Sequence, residues 1–157
     1  MNKILKKASA LVLVLALILS LAACGGDSAG TGAASSSKPA SYKDGSYEGR
    51  SEDHQDDEDG NGAGYGEVSI ELKDNKIVDC SFTMYELDGT LKDESYGSDL
   101  SKENRLKAQK AVQSAPKYAA MLVEKGSLDG VDAISGATIS FSEFKEAVND
   151  ALSKAAE

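Results

Sequence analysis

Residues 132–155 read DAISGATISFSEFKEAVNDALSKA, and this stretch constrains the fold more than any other part of the chain. Its second half places apolar residues three and four positions apart, the spacing of one face of an α-helix. Those positions are Phe141, Phe144, Val148, Ala151, Leu152 and Ala155. Ser140 and Glu143 have the Ser-x-x-Glu spacing of a capping box, which predicts that Ser140 caps this last helix.

Upstream of this helix, the sequence predicts first a sheet and then another helix. Residues 67–72 and 77–85 alternate apolar and polar side chains, and the four residues between them are typical of a hairpin turn. A shorter strand is expected over residues 45–50. Residues 101–125 are predicted to be helical, with Pro116 kinking or dividing the helix. Sheet segments followed by helices indicate one small α+β domain with an antiparallel sheet and C-terminal helices.

The N-terminus has the three parts of a lipoprotein secretion signal. Basic residues precede a short apolar run, and Leu21-Ala22-Ala23-Cys24 closes the segment. The run is short for a membrane-spanning helix. Leu-Ala-Ala-Cys resembles the bacterial lipobox, whose Cys receives diacylglycerol and becomes the first residue of the mature protein. We therefore expect a signal peptide over residues 1–23 and a lipid anchor on Cys24; the alternative is an ordinary signal peptide with an incidental Cys.

The remaining chain is predicted to consist of a flexible tether over residues 24–41 and a folded domain over residues 42–157. The tether is rich in Gly, Ala, Ser and Thr and has no large apolar side chain to bury. Cleavage of the signal peptide removes three of the 17 basic residues and none of the 26 acidic ones, which leaves a formal charge of −12. This charge argues against nucleic-acid binding and against electrostatic adhesion to an anionic membrane.

The segment Asp132-Ala133-Ile134-Ser135-Gly136-Ala137-Thr138 holds the candidate functional residues. A hydroxyl on an open turn can form a phosphoester, and Gly136 can adopt backbone angles that other residues resist. A helix that begins just after Thr138 directs its unpaired amide groups and the positive end of its dipole toward that residue. This arrangement favours a bound phosphate.

Asp-x-x-Ser-Gly-Ala-Thr resembles the FMN-binding domain found in the sodium-pumping NADH:quinone reductase and in the related Rnf complex. The chain is most similar to the small extracellular flavin lipoproteins of Gram-positive bacteria. In that family a flavin transferase, using FAD and magnesium, esterifies FMN to the hydroxyl of the last Thr. The resemblance implies covalent FMN on Thr138, before the last helix. Ser135, Gly136 and Ala137 then form the turn that presents Thr138, and Asp132 is the leading acid of the motif. The likeness extends more weakly over residues 42–152, including the Asp44–Gly49 segment.

The resemblance implies an electron-transfer flavoprotein, held on the outer face of the cell membrane by its lipid, rather than an enzyme with its own substrate. It would relay electrons from a membrane quinol or NADH oxidase to an extracellular acceptor, and no catalytic residue or metal ligand is predicted. The alternative is a non-redox surface lipoprotein that binds a ligand or partner with Thr138 unmodified. A reductase for a small substrate would need a larger catalytic domain. The sequence leaves the reduction potential, the electron donor, the acceptor and the oligomeric state open. Four aromatic residues are candidates to flank the flavin: Tyr65, Tyr85, Tyr96 and Phe141.

Two further features have no assigned role. Cys80 is predicted to be a half-buried strand residue. The acidic stretch over residues 52–59, which includes His54, is predicted to be solvated. Asp57, Asp59, Asn61 and Gly62 imitate the start of a calcium loop, but Val68 stands at the twelfth position, where such a loop needs Glu. If the acidic stretch lies near the flavin, its charge should lower the reduction potential.

Overall fold

The computed structural model describes residues 41–57 and 62–156. The predicted signal peptide, Cys24 and the tether up to residue 40 lie outside the described residues. In the described part, no helix is both long enough and apolar enough to cross a membrane.

In residues 41–57 and 62–156, three strands precede two long helices. The strands are β1 (Gly45–Arg50), β2 (Tyr65–Lys73) and β3 (Lys76–Tyr85). The helices are α1 (Lys102–Lys125) and α2 (Thr138–Ala155), with a single 3-10 turn at Leu128–Gly130 between them. The strands form one antiparallel sheet in the order β1-β2-β3, and both helices pack against it. The predicted small α+β domain is confirmed.

The β2–β3 hairpin follows from local sequence. Asp74 and Asn75 form its turn with φ angles of 50° and 60°, the left-handed conformation that a two-residue hairpin turn requires. Asp and Asn adopt this conformation more readily than most residues. Along β2 every second side chain is buried, and Val68, Ile70 and Leu72 are each at most 3% exposed. The alternation therefore fixes which face of the sheet the helices cover.

The apolar face of α2 forms the centre of the core, as predicted. Phe144, Val148 and Ala151 are fully buried. The ring of Phe144 meets that of Phe82 edge-on at 5.1 Å between centroids. Gly49 of β1 lies so close to α2 that an added Cβ would be 2.0 Å from the carbonyl oxygen of Ala147. Only glycine permits this approach of strand and helix.

Helix α1 is continuous through Pro116, so of the two predicted effects of this proline the division is wrong, and the kink stays a prediction. Pro116 is on the exposed side, whereas Ala115 and Tyr118 beside it are buried in the core. Packing on both sides of the proline therefore outweighs its cost within a helix. The helix begins after Ser101, whose hydroxyl accepts a hydrogen bond from the Asn104 N–H at 3.3 Å.

Helix α2 begins earlier than the capping box predicts. Ala137 occupies the cap position and has no side chain that could bond to the helix, and the Phe141 N–H donates to the Ala137 carbonyl at 3.1 Å. Ser140 and Glu143 are 4% and 2% exposed. The predicted cap is wrong because tertiary packing buries both residues in the first two turns. Thr138 is consequently the first residue of α2.

Cys80 is half-buried in β3, as predicted, and is the free cysteine of the described residues. Burial, reinforced by the negative charge of Asp79, raises the pKa of its thiol to about 12. A thiol with so high a pKa is almost entirely protonated at neutral pH and therefore a poor nucleophile.

Candidate functional site

The turn before α2 is held by the hydroxyl of Tyr118. This fully buried residue of α1 accepts a hydrogen bond from the Ile134 N–H at 2.9 Å and donates one to the Ala137 carbonyl at 3.0 Å. The Ala137 N–H closes the turn on the Ile134 carbonyl at 2.9 Å. Burial raises the pKa of Tyr118, so its hydroxyl remains protonated and able to donate. Tyr118 thus fixes both ends of the turn that precedes Thr138.

The turn presents Thr138 to solvent. Gly136 has a φ of 76°, a left-handed angle that strains residues with a side chain. Ala137 is 4% exposed and anchors the turn in the core, whereas the side chain of Thr138 is exposed. Asp132 and Ser135 lie in the same segment but outside the lining of the cleft described next. Their predicted roles in the motif therefore remain predictions.

A cleft of about 430 Å³ lies beside Thr138. This volume is within the range of small-molecule and cofactor pockets. Gly136, Ala137 and Thr138 line the cleft. The other lining residues come from both helices, from β3 and from the segments that flank the sheet: Asp56, Asp57, Gly62, Met84, Lys92, Tyr96, Leu100, Asn104, Lys107, Ala108, Ala111, Ile139, Ser140 and Glu143.

Positive groups surround the end of the cleft nearest Thr138. The first amide groups of an α-helix have no acceptor inside the helix, and they carry the positive end of its dipole. Lys110 of α1 extends to the same place, since a Cβ added to Gly136 would be 3.0 Å from its ammonium nitrogen. Lys107, one turn earlier, lines the cleft. These groups suit a phosphate.

The cleft also contains two buried charged side chains. Lys92 is 7% exposed, and its ammonium nitrogen lies 3.5 Å from the Gly62 carbonyl oxygen and 5.0 Å from the centre of the Tyr96 ring. Glu143 is 2% exposed, and its Oε1 has no hydrogen-bond partner among the described residues. Burial lowers the pKa of Lys92 and raises that of Glu143, and the opposite charge of each moderates the shift of the other. An unsatisfied buried oxygen beside a cleft fits a ligand that supplies the missing partner.

The structure places the four aromatic residues that are candidates to flank the flavin in different surroundings. Tyr96 lines the cleft. Tyr65 and Tyr85 instead stack on each other across β2 and β3 at 5.3 Å, with the Arg50 guanidinium 3.7 Å above the Tyr65 ring. Phe141 stacks on Tyr118 at 5.3 Å and lies outside the lining of the cleft. Among these four residues, Tyr96 is therefore the one placed to contact a ligand in the cleft.

The structure describes residues 52–57 of the acidic stretch, and two of them, Asp56 and Asp57, line the cleft. His54 does not behave as a solvated residue, so that prediction is wrong. Its backbone pairs with Gly64, with hydrogen bonds of 2.8 and 2.9 Å, and its ring lies 3.1 Å from the Glu146 carboxylate of α2. In the described residues no group of three His, Cys, Asp or Glu side chains is arranged to hold a metal ion, and Asp59 and Asn61 lie outside them.

The fold and the site together define a small α+β domain with a mixed apolar and polar cleft, at one end of which a helix begins. The model of the family described as "FMN-binding domain" matches residues 61–153, and the chain belongs to this family. The family identifies FMN as the cofactor and supports an electron-transfer role. The predicted family resemblance is confirmed, while the narrower likeness to the flavin lipoproteins remains a prediction.

A solved structure has a similar fold. The crystal structure of the CPE2226 protein from Clostridium perfringens aligns with a TM-score of 0.54 and 24% identity, over 73% of this chain and 89% of that one. A likeness at this identity shows the fold. A comparison with curated proteins gives no significant match.

Proposed function

We propose that the chain is an extracytoplasmic, membrane-anchored electron carrier whose FMN is joined to Thr138 by a phosphoester. The observation that carries this proposal is the position of Thr138. Its side chain is exposed in the first turn of α2, at the edge of the cleft of about 430 Å³. A modifying enzyme can reach a hydroxyl in this position, and the attached ring then has a cleft beside it.

Attachment requires a flavin transferase with FAD and magnesium. Thr138 Oγ forms a bond to the phosphorus of the FMN half of FAD, the phosphoanhydride bond breaks, AMP leaves and the hydroxyl proton passes to solvent. The phosphoester keeps a negative charge. The amide groups of the first turn of α2 and the ammonium group of Lys110 stabilise that charge, because the helix begins at Thr138 and the ammonium group lies beside Gly136.

Bound FMN supplies one- and two-electron chemistry, and the protein supplies position, shielding and electrostatics. Met84, Ala108 and Ala111 give the cleft an apolar surface that excludes water, and Tyr96 adds an aromatic one. The carboxylates of Asp56 and Asp57, together with the buried side chains of Lys92 and Glu143, place charges around the same volume. These charges set how readily the cofactor gains electrons.

The membrane part of the proposal rests on sequence. Lipid on Cys24 and the tether over residues 24–41 hold the domain at the outer face of the membrane. Electrons then pass from a quinol or NADH oxidase in the membrane, through the flavin, to an acceptor outside the cell. A covalent bond suits this location, because a dissociable cofactor would be lost to the medium.

The attachment is tested by expressing the full chain in bacterial cells with and without an exported flavin transferase, then mapping its peptides by mass spectrometry. The peptide that contains Thr138 should gain the mass of FMN less one water, only when the transferase is present. Thr138→Ala should abolish the gain. Thr90→Ala, which changes an exposed threonine outside the cleft, should leave it unchanged. An unmodified Thr138, in cells that load another domain of this family, would favour the non-redox binding lipoprotein.

The anchor is tested separately by fractionating the same cells. The wild-type chain should sediment with membranes and carry a diacylglyceryl group on its N-terminal Cys24. Cys24→Ala should lose both the lipid and the membrane association, while flavin on Thr138 is retained. Release of wild-type protein into the medium without lipid would show that the segment acts as an ordinary signal peptide.

A further inference from the structure

Glu143 is the polar group of the cleft that packing leaves least satisfied. It belongs to the second turn of α2, is 2% exposed, and lines the cleft that Thr138 also lines. Its Oε1 has no hydrogen-bond partner among the described residues. A buried carboxylate oxygen without a partner costs stability, so its position beside a cofactor cleft indicates a role in the bound state.

Charged and titratable groups face Glu143 from several elements. The segment after β3 contributes Lys92, whose positive charge favours ionised Glu143. His54, before β2, also favours the ionised form, whereas Glu146 on α2 opposes it. The described ion pairs do not include one between Glu143 and Lys92, so the lysine acts at a distance rather than by direct contact. Among the described residues, the other titratable groups around the cleft are Asp56, Asp57, Glu86, Tyr96, Lys107 and Lys110.

We propose that Glu143 takes up a proton when the flavin in this cleft is reduced, so that the reduced cofactor does not add an uncompensated negative charge. The proposal rests on the proposed function, which places the flavin ring in the cleft beside Thr138. Lys92 is a positioning residue that balances the Glu143 carboxylate while the flavin is oxidised. Glu143 is then the site at which proton uptake accompanies electron transfer.

Two electrons and two protons enter the cleft together. A two-electron donor of the quinol class, or dithionite in an assay, gives both electrons to the oxidised flavin. Two protons are taken from solvent: one forms an N–H bond on the ring, leaving a reduced flavin anion, and the other forms the O–H bond of the Glu143 carboxyl group. Reoxidation by an acceptor returns both protons to solvent. The Glu143 carboxylate and the reduced flavin anion would be two negative charges in a cleft that excludes most water. Their repulsion drives the protonation of Glu143.

The test measures the midpoint potential of the flavin-loaded protein against pH, after mass spectrometry has established the flavin content. At alkaline pH, wild-type protein should take up two protons for two electrons, and Glu143→Gln only one. The slope of potential against pH should therefore be halved in the variant, since each proton contributes equally to a two-electron couple. Glu124→Gln is the control: it changes an exposed carboxylate of α1 that lies outside the cleft lining and has no part in the pKa shift of Glu143, and it should keep the wild-type slope.

A second measurement follows the proton directly. The reduced-minus-oxidised infrared difference spectrum of wild-type protein should show a new C=O stretch of a protonated carboxyl group, which Glu143→Gln removes. Equal slopes in wild type and Glu143→Gln, or no carboxyl band on reduction, would overturn the inference while the flavin protein stands. Protein without flavin in the mass spectrum would instead overturn the proposed function, and the inference with it.

The burial of Glu143 can also be tested in protein that carries no flavin. Because the pKa of Glu143 is raised in the folded state, the folded protein holds a proton that the unfolded chain releases. The free energy of unfolding attributable to this group is therefore greatest below its ordinary pKa of 4.5 and falls as pH rises toward the raised value. Unloaded wild-type protein should lose stability over this interval relative to Glu143→Gln. Parallel stability curves would show that the carboxyl group is not buried as described, and would overturn the inference.

Discussion

Replacing Tyr118 by Phe should destabilise the protein by removing one oxygen atom. The ring and its stacking on Phe141 and Phe144 are preserved, so the change acts on the two hydrogen bonds of the hydroxyl. Both bonds end on backbone groups of the turn, the Ile134 N–H at 2.9 Å and the Ala137 carbonyl at 3.0 Å. The variant therefore separates the support of the turn from the packing of the core.

The magnitude follows from the burial of the groups left behind. An unsatisfied buried donor or acceptor costs about 1–3 kcal/mol. The Ala137 carbonyl keeps its hydrogen bond from the Phe141 N–H at 3.1 Å, so the group left without its partner is the N–H of half-buried Ile134. We therefore expect a loss of about 1–3 kcal/mol, which is a sizeable part of the stability of a small domain.

Urea unfolding of the unloaded protein, followed by circular dichroism, measures this loss. Tyr47→Phe is the matched control, because the Tyr47 hydroxyl donates to the Lys43 carbonyl at 3.1 Å in an exposed position that water can take over. The control should cost about 0.5 kcal/mol or less. Hydrogen exchange gives a local reading: the Ile134 amide should exchange faster in Tyr118→Phe by about tenfold for each 1.4 kcal/mol lost locally. Equal losses in the two variants, with unchanged exchange at Ile134, would refute the role of Tyr118 in holding the turn.

Three further changes test other parts of the structure. Gly49→Ala should prevent stable folding, because its Cβ would be 2.0 Å from a carbonyl oxygen of α2; a soluble variant with a wild-type melting curve would contradict the described packing of β1. Cys80 should react with iodoacetamide at pH 8 about a thousandfold more slowly in folded than in urea-unfolded protein, since its pKa rises from 9.0 to about 12. Similar rates would show that this thiol is exposed. Asp56→Asn combined with Asp57→Asn should raise the midpoint potential of the loaded protein, by on the order of 1 kcal/mol or less per charge; an unchanged potential would place the flavin ring away from this acidic segment.

The sheet and the helix faces could be predicted because their signals are local. The Asp74-Asn75 turn and the alternation along β2 set the register of the hairpin within one short segment. The apolar spacing of α2 identified the residues that enter the core. In both cases neighbouring residues determine the structure, and the long-range contacts agree with them.

The errors occur where tertiary contacts override a local rule. Ser140 and Glu143 match the capping box in sequence, but both are drawn into the interior, and the helix starts at Thr138 instead. Pro116 is tolerated because α1 is held against the core on both sides of it. His54 lies among acidic residues in sequence, yet its contact with Glu146 is made across the fold.

The site shows the same difference between local signals, which the sequence reveals, and long-range contacts, which it does not. The motif identified Thr138 and the turn before it, because those residues are contiguous. It could not identify Tyr118, Lys110 or Lys92, which come from other elements and reach the site only when the chain folds. For Tyr118 a general signal existed: a buried tyrosine needs a partner for its hydroxyl, although the sequence does not say which one.

The departures from local rules coincide at the cleft. Helix α2 starts at Thr138 without a side-chain cap, Glu143 is buried with an unpaired oxygen, and Lys92 is buried with one carbonyl at 3.5 Å. Each of these three features lowers the stability of the protein without a ligand. Unfavourable features of this kind are expected at functional sites. A phosphate on Thr138 would satisfy the amide groups of α2, and a polar ring in the cleft would offer partners to the buried pair. A ligand that interacts only with the folded state stabilises it. The flavin of the proposed function would therefore supply the partners that packing leaves missing at the cleft, and loaded protein should unfold at a higher temperature than unloaded protein.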